Sequence, residues 1–153
     1  MNIHEFGADK NKIIVLIHPS LVMWDYFEYI LSILKEEYHI IVPALPGYDE
    51  ENPNENFTSV EEIADNLLGW LKEHKIEKVD LLYGCSMGGS IALKMFSNHG
   101  IKIRNIICDG AITPYQLPWI VTRMIAIRDF LMISIGKIGG LKLLEKSFST
   151  DEY

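Results

Sequence analysis

LLYGCSMGGSIAL, residues 81–93, is an apolar run that halts at Gly84, passes Ser86 among glycines and resumes at helical spacing. Val79 to Tyr83 reads as a buried strand and residues 87–98 as a helix, so the chain must turn from one to the other within Gly84-Cys85-Ser86-Met87-Gly88. Such a turn forces the serine into a strained conformation with its hydroxyl thrust outward. Side chains flanking it would collide with the adjoining strand and helix, and Gly84, Gly88 and Gly89 carry none. The turn also sets the first free amides of the helix beside the serine, that of Met87 nearest, where the helix dipole favours negative charge on a reacting oxygen. A bare G-x-S-x-G arises often by chance. The strand before it and the helix after it supply the context that separates it from a chance glycine turn.

Working outward, Lys12 to His18 (KIIVLIH) and His39 to Leu45 (HIIVPAL) are β-branched apolar runs, closed by Pro19 and by Pro46 with Gly47. Between them Trp24, Phe27, Ile30, Leu31 and Leu34 recur at helical spacing. After the polar loop GYDEENPNENFT, Ser59 and Glu62 form a capping-box pattern, followed by the stripe Val60, Ile63, Ala64, Leu67, Leu68 and Leu71. Ile103 to Cys108 reads as a fourth strand, and NIHEF as an edge strand at the start. Strands apolar on both faces, alternating with helices, predict an α/β fold: a mostly parallel sheet with helices on both faces and right-handed crossovers. From residue 112 the alternation stops. Residues 117–135 read as one long apolar helix, with Gly136, Gly139 and Gly140 breaking it before LKLLEKSF. The expected division is a core over 1–111 and a helical cap or lid beginning within 112–153; a helix packed on the domain's own sheet is the competing reading.

The chain has 153 residues, 48% apolar and 23% charged, with a formal charge of -7. That is enough for one folded core, and no Lys/Arg cluster is present to meet a nucleic-acid backbone. A small-molecule partner is expected instead. Cys85 and Cys108 sit inside apolar runs, which fits a reducing compartment. MNIHEFGADKNK has no apolar signal segment, and Arg123, Arg128, Asp129 and Lys137 interrupt the stretch 116–140, so a cytoplasmic location with no membrane span is expected. No metal-ligand spacing or cofactor motif appears. The loop bearing Asp49, Glu50, Glu51 and Glu55 either repels anionic substrates near a site mouth or is a solvated surface.

With these elements in place the chain resembles the α/β-hydrolase fold family, in its branch of small serine esterases, thioesterases and proline-iminopeptidase-like enzymes, from about Lys12 to Ala111. G-x-S-x-G following a strand is that family's nucleophile elbow, IIVLIHPS resembles its oxyanion loop, and PALPGYDE and WDYF resemble the turn and helix opening that follow. The resemblance implies Ser86 as nucleophile and the Met87 and Ser20 amides as oxyanion donors, although Pro19 stands where the family has glycine and Ala44 where aspartate is frequent. Serine at the elbow suits acyl transfer, so hydrolysis of an ester, thioester or amide through an acyl-enzyme is the implied chemistry. The family pattern continues for two further strand and helix units of roughly 30 residues each, so this chain is expected to stop before the last strands.

The serine needs a base, and in this fold the order is Ser, acid, His. Only His99 follows Ser86, and at about 1.5 Å per residue it lies roughly 20 Å from the elbow along the same helix. His4, His39 and His74 sit at ends of elements remote from it. His18 is expected to be packed and hydrogen-bonded within the oxyanion loop rather than catalytic. Asp109, at the carboxyl end of a strand, is a candidate acid whose competing reading is a turn former before Gly110. The expectation is therefore a serine hydrolase whose triad is incomplete in this chain. The alternatives are a non-catalytic binding module, and self-association through an unfinished sheet edge and the apolar C-terminal helix.

Overall fold

A computed structural model describes residues 1–111 and 118–139, with side chains of the second stretch described as far as 135. These residues fall into two units dividing after Pro114. In the first, β1 (Ile3–Phe6), β2 (Ile13–Ile17), β3 (His39–Pro43), β5 (Leu81–Cys85) and β7 (Ile106–Asp109) form a sheet in the order β1-β3-β2-β5-β7. β1 runs antiparallel to β3, and the other pairings are parallel. The helices are α1 (Glu28–Leu34), α2 (Val60–Glu73) and α3 (Met87–Ser97).

Alternate residues of the central strands feed two cores, as the side-chain period of a strand requires. Val15, Ile17, Ile41 and Leu82 pack with Leu67, Leu71, Ile91 and Met95 of α2 and α3. Ile14, Leu16, Ile40 and Val42 pack on the opposite face with Phe27 and Leu31. Helices thus lie on both faces, in agreement with the α/β expectation. On the α1 face the cover is partial: a groove of about 1090 Å³ runs between α1 and strands β2, β5 and β7, floored by Ile14, Leu16, Leu81 and Tyr83 and rimmed by Lys12 and Arg104.

Several local expectations need correction. The strand expected over Val79 to Tyr83 is two, β4 (Lys78–Val79) and β5, because Asp80 leaves the ladder: its N–H donates to Ile13 O at 2.8 Å and its carboxylate accepts from Ile13 N–H at 3.2 Å. The strand expected over Ile103 to Cys108 divides likewise into β6 (Lys102–Ile103), paired with β4, and β7. β3 ends at Pro43, two residues early, with Ala44 and Leu45 buried beyond it. The first helix opens as a 3-10 turn over Trp24–Phe27 before α1. The capping box at α2 is modified. Glu62 N–H donates to Ser59 Oγ at 3.2 Å, but the Glu62 carboxylate reaches one residue further back, accepting from Thr58 N–H at 2.7 Å.

In the second unit α4 spans Trp119–Gly139, and Gly136 is helical rather than a break. A glycine in a helix interior costs only about 1 kcal/mol relative to alanine, which a long helix absorbs. Gly140 and LKLLEKSF lie outside the described residues. Among the described residues no helix is long and apolar enough to cross a membrane.

Candidate active site

The elbow follows from three close approaches of backbone. β5 reaches Cys85 and α3 begins at Met87, leaving Ser86 alone to make the turn. It does so at φ 50° and ψ -116°, left-handed backbone that a non-glycine residue adopts at a cost of about 1–3 kcal/mol. A Cβ at Gly84 would stand 2.5 Å from Gly88 C and nearer still to its O. At Gly88 it would meet His18 O at 2.6 Å, and at Gly89 the Ala111 Cβ at 2.6 Å. Glycine is required at each, since no real Cβ approaches so near, and the strand ends and helix start can close on Ser86 only without side chains.

Hydrogen bonds hold the strained residue. Ser86 N–H donates to Asp109 O at 2.8 Å, and Ser86 O accepts from Gly89 N–H at 3.0 Å and Ser90 N–H at 3.2 Å. Met87 and Gly88 occupy the first two positions of α3, where backbone N–H groups have no acceptor within the helix itself. The side chain of Ser86 is half-buried. The loop after β2 brings Pro19 and Ser20 to the carboxyl end of the sheet, where β2 pairs with β5 through Ile17 and Gly84. Leu21, next along, is exposed at φ 69°.

Asp109 pairs with Cys85 in the β5–β7 register, so its backbone touches the elbow directly. Its exposed carboxylate accepts from Tyr83 Oη at 2.9 Å. Burial, then this carboxylate, holds the Tyr83 phenol well above the ordinary tyrosine range. Burial first and Asp109 next push the Cys85 thiol up as well, and burial does the same to Cys108. Neither cysteine is poised as a thiolate. Tyr83 escaped the sequence reading; the signal was there, because Leu81, Tyr83 and Cys85 alternate and so share a face.

Among the described residues no histidine is bonded to Ser86 Oγ. His18 is fully buried, with Nδ1 2.8 Å from Pro19 O and Nε2 accepting from Leu45 N–H at 3.1 Å. Burial outweighs Pro19 O and Asp25 and holds its pKa below the ordinary imidazole range. The ring is packed as expected but reaches beyond its own loop. His39 faces Glu5 Oε2 at 2.8 Å, His74 faces Trp70 O at 2.8 Å, and His4 stacks on Trp24 with centroids 3.9 Å apart. His99 is exposed beyond the end of α3. Among the described residues no three His, Cys, Asp or Glu side chains are placed to hold a metal. In the acidic loop, Asp49 is not a solvated charge: it is buried and accepts from Glu51 N–H at 3.0 Å and Asn52 Nδ2 at 3.1 Å.

A strand-to-helix elbow on a parallel sheet invites comparison with known proteins, and the family model of the alpha/beta hydrolase fold matches residues 12–132. The chain belongs to the alpha/beta hydrolase fold family. Within it, the chain is 27% identical over 114 residues to the 2-hydroxymuconate semialdehyde hydrolase of Pseudomonas sp. (strain CF600), covering 72% of this chain and 39% of that protein. Its fold is similar to that of an alpha/beta hydrolase family protein from Desulfitobacterium hafniense, with a TM-score of 0.69, 34% identity and coverage of 72% and 44%. An esterase from Exiguobacterium antarcticum superposes with a TM-score of 0.61 at 28% identity, with coverage of 71% and 40%. The chain spans about two fifths of the length of these relatives.

Proposed function

We propose that this chain carries the nucleophile and oxyanion-binding part of a serine hydrolase acting on an ester, thioester or amide. Ser86 Oγ attacks the carbonyl carbon, its proton passes to a base, and the carbonyl oxygen takes up negative charge against the amides of Met87 and Ser20. Collapse expels the alcohol, thiol or amine, which receives the proton, and water hydrolyses the acyl-enzyme by the reverse sequence. Asp109 is the candidate for the acid that orients the base, with Tyr83 fixing its carboxylate. None of the five histidines fits the base, so the triad is incomplete in this chain, and a cap begins within 112–153. The observation that carries this reading is the left-handed φ of 50° at Ser86, a strain that a merely structural turn would relieve with glycine. Neighbours described as hydrolases and an esterase support the reaction class.

The test is labelling with a fluorophosphonate. The full-length gene product should be modified at Ser86 and its Ser86→Ala variant should not, while the 153-residue chain alone should stay unlabelled for want of a base. A full-length product that binds an acyl ligand yet never reacts would establish a non-catalytic module. Labelling of the chain alone would place the base within it.

A further inference from the structure

We propose that Leu21 is a specificity-determining residue: its exposed side chain holds an apolar acyl group of the substrate beside Ser86. This rests on the reading of Ser86 as a nucleophile with Asp109 as its acid. Among the described residues three other than glycine have left-handed backbone: Leu21 at φ 69°, Lys75 at φ 58° and Ser86 at φ 50°. Lys75 is explained by the end of α2. Its N–H donates to Lys72 O at 2.9 Å and Ile76 N–H donates to Leu71 O at 2.8 Å, the pairing a helix makes when the residue past its last turn is left-handed. Ser86 is the elbow. Leu21 ends no helix and has no such reason. Left-handed backbone presses its Cβ toward the following carbonyl oxygen, and at 86% exposure the side chain recovers almost none of that cost by burial in the protein. Asparagine or glycine would make the turn more easily. Strain that folding does not offset is a mark of residues that meet a ligand.

Leu21 follows Ser20 in the loop after β2, at the carboxyl end of the sheet, where open α/β sheets bind their ligands. Sheet order decides which part of the substrate reaches it. β5, which leads into Ser86, lies between β2 and β7. Asp109 ends β7, so a base oriented by Asp109 stands on the β7 side of the serine. That base gives its proton to the leaving alcohol, thiol or amine, which must therefore depart on the β7 side as well. The acyl group is left with the β2 side, where Leu21 is exposed and Met23, partly exposed, adds apolar surface two residues on. It stays there through both half-reactions, because it is the part bonded to Ser86 Oγ in the acyl-enzyme. Leucine offers no hydrogen bond, and each methylene laid against it leaves water. An aliphatic acyl chain of several carbons is thereby favoured over acetyl.

The test is a series of p-nitrophenyl esters, from acetate to octanoate, hydrolysed by the full-length gene product. Wild-type kcat/KM should rise with acyl length. Leu21→Asn keeps a side chain of similar size that tolerates left-handed backbone, so the turn and the Ser20 amide keep their places. It should lower kcat/KM for the octanoate roughly 10-fold more than for the acetate. Leu21→Met, which stays apolar, should keep most of the preference. An equal change across the series, or none, would overturn the proposal. So would a dependence that follows the alcohol instead, seen when alkyl acetates of increasing alcohol length are titrated in a pH-stat and the Leu21→Asn effect grows with that length. A Leu21→Asn urea midpoint well below wild type would overturn it too, because the leucine would then pack against protein. Failure of the underlying reading looks different: the wild-type product would leave every ester intact and would not react with fluorophosphonate.

Discussion

Replacing Gly88 with alanine puts one methyl group where two backbone segments already touch. That Cβ would lie 2.6 Å from His18 O and 2.8 Å from Ile17 C, and nearer still to Ile17 O. Ordinary contact begins near 3.4 Å, so the end of β2 or the first turn of α3 must retreat by most of an ångström. Neither is free to. Ile17 is held in register with Gly84, and a retreat of α3 pulls on Gly84, whose own absent Cβ already marks the contact with Gly88. Overpacking of this kind costs about 1–3 kcal/mol when side chains can give; here every obstacle is backbone, so about 3 kcal/mol is expected. With a urea slope of about 2 kcal/mol/M for a chain of this size, the midpoint should fall by roughly 1.5 M. Gly69 is the control: it lies within α2 with nothing within 4 Å of its would-be Cβ. There the same substitution removes the glycine penalty and should raise stability by about 0.5–1 kcal/mol. Urea unfolding followed by far-ultraviolet circular dichroism compares the two. A Gly88→Ala midpoint at or above wild type would refute the close approach on which the elbow geometry depends.

Ser59→Ala removes the oxygen that accepts from Glu62 N–H, and unfolding should report a loss of about 1 kcal/mol. Leu21→Asn should hold or raise stability by up to about 1 kcal/mol, because an exposed leucine at φ 69° gains no burial for its strain and asparagine tolerates that region better; a clear loss would mean that the Leu21 side chain has a partner. The Asp80 carboxyl lies below its ordinary range, chiefly through its bond to Lys78, with Ile13 N–H and Arg104 assisting. A depressed folded pKa means stability present above the unfolded value and lost as pH falls through the folded one. Wild type should therefore exceed Asp80→Asn at pH 7, and the gap in urea midpoints should close from about pH 4 downward; a gap independent of pH would contradict the ion pair.

What could be read from sequence was whatever one contiguous stretch dictates. Ile14 to Ile17 is apolar at every position because both faces of β2 are buried, and that alone announces a parallel sheet between helices. Gly84, Gly88 and Gly89 announce the elbow because all three lie within three residues of the serine, although the backbone that Gly88 must clear belongs to Ile17 and His18. The breaks at Asp80 and the ends of β6 and β7 stayed hidden, because the backbone partner that draws Asp80 from the ladder is Ile13, 67 residues earlier. The same applies to the chemistry. The tie from His18 to Leu45 and the bond from Tyr83 to Asp109 exist only once strands far apart in sequence are set side by side. Register decides the second of these: with Cys85 opposite Asp109, the Asp109 carboxylate shares a face with Tyr83, and a slip of one residue would send it to the α3 side. A strained turn can thus be written locally, whereas side-chain bonds between distant segments are fixed by sheet pairing. Ser86 accordingly stands out from its neighbours alone, whereas the partners of His18 and Tyr83 lie in distant segments of the chain.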